Sequence, residues 1–198
     1  MSWLAARRAR RFPRSGLQLH LGCGTVRLDG WVNIDLATRA RELATPPDLN
    51  LDVRRGLPFP DASARLIYHE HLMEHLTLEE GIRCLRDWLR VLEPGGVLRI
   101  ATPDLEFLVE RYRGDWRDQP WLRQPEYAVI GTRAEMMNAA FRWWDHRYLY
   151  DGEELARRMR DAGFDPIRRC AYRESGVPDL AALETREDSK LILEGVRP

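Results

Sequence analysis

The chain switches between two hydrophobic periods, and the switches mark its elements. "LQLHL" at 17–21 is a short apolar run closed by Gly22 and Gly24, and "WVNID" at 31–35 follows the turn signal Asp29-Gly30. Both predict strands. A third strand is predicted at "LNLDV" (49–53) and a fourth at "ARLIYH" (64–69), after a loop rich in Pro and Asp. From Thr77 the period lengthens. Leu78, Ile82, Leu85, Leu89 and Leu92 recur every three or four residues, with Glu79, Glu80, Arg83, Arg86 and Arg90 on other faces, which predicts an amphipathic helix. Thr77 and Glu80 form a capping box at its start, and Pro94-Gly95-Gly96 ends it before "VLRIA" supplies a fifth strand. Strand, helix and strand in that order make a βαβ unit with parallel strands and a right-handed crossover.

Further on, Pro103 and Asp104 open a helix with Leu105, Leu108, Val109 and Tyr112 on one side. The irregular "GDWRDQPWLRQPEY" after it reads as an insertion. A second capping box, Thr132 with Glu135, predicts a helix through about Phe141, and Asp151 with Glu154 predicts another that stops at Gly163. "FDPIRRCAY" and "KLILEGV" read as two closing strands. Nine residues separate the first two strands, too few for a crossover helix. The prediction is therefore an α/β fold: a Rossmann-like, mostly parallel sheet with an antiparallel C-terminal hairpin and a shortened first β-to-β connection. A helical lid is inserted over 105–150. One domain spans 17–198, after a basic N-terminal arm over 1–16, and there is no internal repeat.

Charge narrows the partners. Lys plus Arg and Asp plus Glu number 31 each in 198 residues, so no global field draws the protein to nucleic acid or to an anionic membrane. In the arm, Arg7, Arg8, Arg10, Arg11 and Arg14 with the apolar foot Trp3 and Leu4 fit either a surface-binding helix or a solvated tail. Cys23, Cys84 and Cys170 are odd in number and widely spaced, which argues against a disulfide framework and for a reducing compartment, the cytoplasm by default. The apolar runs are too short to span a bilayer, and the start lacks the apolar middle of a secretory signal.

Two stretches carry candidate chemistry. In "IYHEHLMEHL" (67–76), His71, Glu74 and His75 fit the H-x-x-E-H spacing of a zinc hydrolase, provided that both histidines share one helical face. The capping signal at Thr77 comes after both histidines, so the favoured reading has no metal and zinc hydrolysis is the remote alternative. In "LHLGCGTVRLDGWVNID", two glycines let a ligand approach the backbone, and Asp35 on the next strand tip suits two ribose hydroxyls. The dinucleotide fingerprint is not met, because Arg27 stands at its third glycine and there is hardly room for the phosphate-binding helix. S-adenosylmethionine has a ribose and no phosphate.

These motifs, over roughly 17–104, resemble the class I S-adenosylmethionine-dependent methyltransferases, and the closing "FRWWDHRYLYDGEELARRMRDAGF" is similar to small bacterial members with no assigned acceptor, some linked to cell-surface glycan genes. The resemblance implies that Gly22, Cys23 and Gly24 lie under the methionine part of the cofactor. Asp35, with Leu36 beside it, would hold the ribose, and Asp52 and Val53 in "LDVRRGLPFPDAS" would meet the adenine. The backbone near His69 would meet the methionine end. "LRVLEPGGVLRIATPD" matches the family's fifth-strand motif. His20 stands at the cofactor site where the family has an acid that anchors the amino group, and Val26 replaces the third glycine. The implied activity is methyl transfer to an oxygen or nitrogen of a small molecule or glycan. A non-catalytic S-adenosylmethionine-binding regulatory or scaffold protein is the alternative, motivated by His20 and the thinned connection. His71, Glu70 and His146 are the candidate bases, and His75 reads as structural. The aromatic-rich lid, with Trp121, Tyr127 and Trp144 among its rings and Arg147 for an acidic group, would choose the acceptor, unless Phe141, Trp144 and Tyr148 are core at helical spacing. Oligomeric state is not readable.

Overall fold

The computed structural model describes residues 7–36 and 46–198. Trp3 and Leu4 lie outside them. Seven strands form one sheet in the order β3-β2-β1-β4-β5-β7-β6. They are β1 (Leu17–Leu21), β2 (Val32–Asp35), β3 (Leu49–Asn50), β4 (Ala64–Glu70), β5 (Leu92–Thr102), β6 (Ile167–Arg169) and β7 (Leu191–Val196). The first five run parallel, and β7 is antiparallel to both β5 and β6. Four α-helices lie wholly within the described residues: α1 (Leu78–Val91), α2 (Leu105–Arg113), α3 (Arg133–Arg142) and α4 (Gly152–Ala162). No helix among the described residues is long and apolar enough to cross a membrane.

The helices start where their caps predict. Thr77 and Thr132 both complete capping boxes, Asp104 and Asp151 accept from backbone N–H groups of the first turns, and Gly163 closes α4 in the left-handed conformation. Two strands differ from expectation. β3 stops at Asn50, because Asp52 turns the chain to cap a 3-10 turn at Val53–Arg55. β5 starts at Leu92 and runs through Pro94-Gly95-Gly96, absorbing them in a register shift against β4 rather than after a break.

The two faces of the sheet are covered differently. On one face α1 and α4 bury the large core, with Trp88, Leu85, Met159 and Phe164 packed against Leu19, Leu21, Ile67 and Leu98. The ten-residue link from β1 to β2 forms no helix, so the other face is covered by Leu28, Trp31, Val177, Leu180 and Leu183 over Leu66, Tyr68 and Ala101. Arg99 crosses into this second layer fully buried, its Nε 2.6 Å from Glu184 and its NH1 2.5 Å from Glu194. From the arm, Ala9 joins the core, Phe12 packs edge-on against Phe59, and Arg11 donates to the Asp48 carbonyl. The 105–150 segment has a small core of its own, including Leu108, Trp116, Trp121 and Met136. Because the central strands are parallel, Gly22, Asp35, His71 and Pro103 all emerge at one edge of the sheet, where ligands of such sheets bind.

Candidate active site

The cofactor end is built from the β1 turn upward. Gly22 (φ 63°) and Gly24 (φ 53°) take left-handed conformations that side chains resist. A Cβ on Gly22 would come within 3.2 Å of Leu72, whereas nothing lies within 4 Å of the same position at Gly24, so the turn is tight below and open above. The Cys23 N–H donates to the Ile34 carbonyl at 3.1 Å. The N–H groups of Gly24 and Leu36 each donate to Asp35 at 2.6 Å, one to each carboxylate oxygen. A carboxylate has about four acceptor sites, so Asp35 pins the turn and still has lone pairs for two hydroxyls. Burial pushes the Cys23 thiol up to about 12 despite the Arg27 guanidinium 2.9 Å away, which makes Cys23 a wall and not a nucleophile. Asp52 and Val53 stand just beyond β3, where hydrogen bonds from Arg54 hold the Asp52 carboxyl below its ordinary range.

Two cofactor-side expectations shift. His20 does not substitute for an acidic anchor: its Nδ1 meets Asn33 Oδ1 at 3.1 Å, its ring stacks on Tyr68, and burial holds its pKa below the ordinary value. His69 is fully buried against Trp88, with its pKa pulled down to about 3 by burial. Its side chain is a core group, and only its backbone is left for a ligand.

The candidate acceptor end is a cavity of about 690 Å³, a size that suits a small organic molecule. His71 and His75 line it from the end of β4, Phe107 from α2, Trp121, Tyr127, Trp144 and His146 from the lid, and Thr185 to Asp188 from the loop before β7. His71 sits at φ 52°, a conformation uncommon outside glycine that ends the strand abruptly. Its Nδ1 lies 2.9 Å from Glu74 Oε1, while its Nε2 has no hydrogen-bond partner and the Asp188 carboxylate is 3.9 Å away. Glu74 is fully buried and its other oxygen accepts from the Thr102 hydroxyl at 2.9 Å. Burial opposes both charges, but the pair outweighs it: the His71 pKa is raised and the Glu74 pKa is lowered.

The remaining candidates are placed as follows. Glu70, an expected base, instead accepts from the Thr185 and Arg186 N–H groups and the Thr185 and Ser189 hydroxyls, so its oxygens hold the 185–189 loop. The zinc-hydrolase spacing fails as drawn, because His71 leaves the helical region, Met73–His75 is a 3-10 turn, and α1 begins only at Leu78. His146 reaches the cavity with its Nδ1 2.7 Å from the Ala140 carbonyl. Arg147 points its guanidinium 4.0 Å from Glu80, off the cavity lining. Phe141 and Trp144 are about two-fifths exposed and are not core, because α3 ends at Arg142 and Trp144 adopts φ 60°. Glu74 enters the sequence reading only through the H-x-x-E-H spacing, not as a partner of His71, and the 185–188 loop carries no signal of spacing in the sequence.

A family model described as a methyltransferase domain matches residues 19–100. No curated protein matches the sequence. Among solved structures, a possible histamine N-methyltransferase of Thermotoga maritima, described as S-adenosylmethionine-dependent, is 17% identical with a TM-score of 0.55, over 98% of this chain and 87% of that one. A chain of the Haloferax volcanii complex between a methyltransferase activator and a putative methyltransferase is 18% identical with a TM-score of 0.51, over 98% and 88%. PigF, solved with SAH, is 16% identical with a TM-score of 0.53, over 98% of this chain and 54% of its own. At these identities the likeness is one of fold: an α/β sheet with a closing antiparallel hairpin. The domain match over 19–100 and the strand order make this chain similar to the class I methyltransferases whose cofactor is S-adenosylmethionine. The open turn at Gly24 and the half-used Asp35 carboxylate fit that group.

Proposed function

We propose that the protein methylates an oxygen or nitrogen of a small molecule or glycan, with His71 taking the acceptor's proton. One observation carries the reading: His71 lines the cavity with an Nε2 that has no hydrogen-bond partner, while the buried Glu74 carboxylate stands 2.9 Å from its Nδ1. S-adenosylmethionine supplies an electrophilic methyl on a cationic sulfur, so the protein needs mainly to align the acceptor and exclude water. Gly22 to Gly24, Asp35 with Leu36, and Asp52 with Val53 would hold the cofactor at the tips of β1, β2 and β3. Glu74, tied by Thr102, orients His71 with its proton on Nδ1 and leaves Nε2 as the accepting atom. The residues of the lid, 105–150, form the acceptor wall, where the ring faces of Trp121, Tyr127 and Trp144 beside the polar groups of Gln119 and Arg186 suit a sugar or a flat hydroxylated ring.

The test is an acceptor screen that detects demethylated cofactor, followed by His71→Asn on the best acceptor. The expected loss in kcat is about 10²- to 10⁴-fold, with cofactor affinity unchanged. Full activity in that variant would remove His71 from the chemistry.

A further inference from the structure

We infer that Glu74, His75 and His146 form a site for one divalent transition-metal ion of the zinc class on the wall of the acceptor cavity. The three side chains come from two distant segments, yet one ligand atom from each lies within 4.8 Å of the others. The two imidazole rings stand 5.0 Å apart at 75° to one another, and one nitrogen of each belongs to that set of neighbouring ligand atoms. A carbonyl can only accept, so the Nδ1 of His146, 2.7 Å from the Ala140 carbonyl, carries its proton and the Nε2 presents a lone pair. Histidines that bind metals are commonly fixed in this way by a second hydrogen bond.

Glu74 supplies the anion, fully buried and braced by Thr102. Its backbone carbonyl accepts from the N–H groups of Arg147 and Tyr148, at 2.8 and 3.2 Å, which locks the strand of lid that carries His146 to the turn that carries His75. The fold therefore brings the three groups together. Two imidazoles and one carboxylate suit zinc and its neighbours far better than magnesium or calcium, and three protein ligands leave a coordination position free. His75 and His146 both line the cavity, so that position faces the acceptor and would receive an oxygen or nitrogen of it. This trio differs from the H-x-x-E-H spacing: His71 stays outside, in contact with Glu74.

The inference deepens the methyl-transfer reading by naming how the acceptor is held, yet metal binding can be measured without turnover. The full chain, stripped with a chelator, is titrated with cobalt(II) and zinc(II). One ion per chain is expected, with the visible absorption of a four- or five-coordinate cobalt site. His75→Ala and His146→Ala should each weaken binding by about a hundredfold or more, and His71→Ala should keep it within a few fold. Glu74→Gln risks misfolding, so His146→Ala in the lid is the deciding variant. Binding below one ion per chain, binding untouched by both His75→Ala and His146→Ala, or loss with His71→Ala but not with His146→Ala would each overturn the site. Cofactor affinity, measured on the same samples by calorimetry, should not change when the metal is removed. Failure of cofactor binding, by contrast, would strike the methyltransferase reading and leave the metal site standing.

Discussion

The cofactor end and the acceptor end share one edge of one sheet, but they are built by different rules. At the cofactor end, Gly22, Gly24 and Asp35 lie within 14 residues of sequence, and the groups that hold them are backbone atoms of the same short stretch. At the acceptor end, Glu70 holds a loop 115 residues away, Glu74 holds the lid segment at Arg147, and Asp188 faces His71. A pocket made of local turns keeps its shape wherever its strands are in place. A pocket made of long-range ties depends on the whole second layer being closed.

The largest effect is expected where that layer is pinned. Arg99 is fully buried between Glu184 and Glu194, and Glu184 stands next to Thr185, the first residue of the loop on the cavity. Arg99→Met leaves two carboxylates facing each other in the interior. Breaking a buried ion pair in this way costs about 3–5 kcal/mol, which for a chain of this size lowers Tm by roughly 10 °C. Cofactor affinity measured below the transition should stay near the wild-type value, since none of the tips of β1 to β3 touches this cluster. A Tm within a degree or two of wild type would show that the triad is neutral and that the acceptor loop is held some other way.

The converse experiment targets the local end. Asp35→Ala removes the acceptor of two backbone N–H groups and the candidate partner of the ribose. Hydrogen bonds to a charged group contribute about 1.5–3 kcal/mol, so cofactor affinity should fall by about ten- to a hundredfold in calorimetry. Unchanged affinity would mean that the ribose is held elsewhere and that the carboxylate serves the turn alone.

What could be read in the sequence follows the same division. The capping boxes at Thr77 and Thr132, the closure at Gly163, and the glycine turn are each set by residues within a few positions of one another, and they appear in the structure where local chemistry predicts them. The sequence predicts a longer β3 because alternation continues through "LNLDV", whereas the Asp52 side chain caps the next turn. The expected base Glu70 was misplaced for a different reason: its partners, Thr185, Arg186 and Ser189, belong to a stretch with no periodicity at all. The sequence offers Glu74 only as part of a metal spacing, because its pairing with His71 depends on a left-handed residue that a sequence pattern does not announce.

The smallest effect tests whether the lid and the sheet melt together. Thr77 and Thr132 carry the same capping chemistry, each accepting from the N–H of a glutamate three residues on, at 3.2 and 3.1 Å. Replacing a capping threonine by alanine costs about 0.5–2 kcal/mol of helix stability. α1 is packed into the main core through Cys84, Leu85 and Trp88, so Thr77→Ala should lower the global Tm by about 2–4 °C. α3 belongs to the lid, whose own core is small, so Thr132→Ala should open the lid before the sheet. Its mark would be faster hydrogen exchange at the first turns of α3, with Tm close to wild type. Equal shifts in Tm for the two variants would mean that the lid has no independent opening, and the acceptor would then have to enter a cavity that loosens only when the whole sheet does.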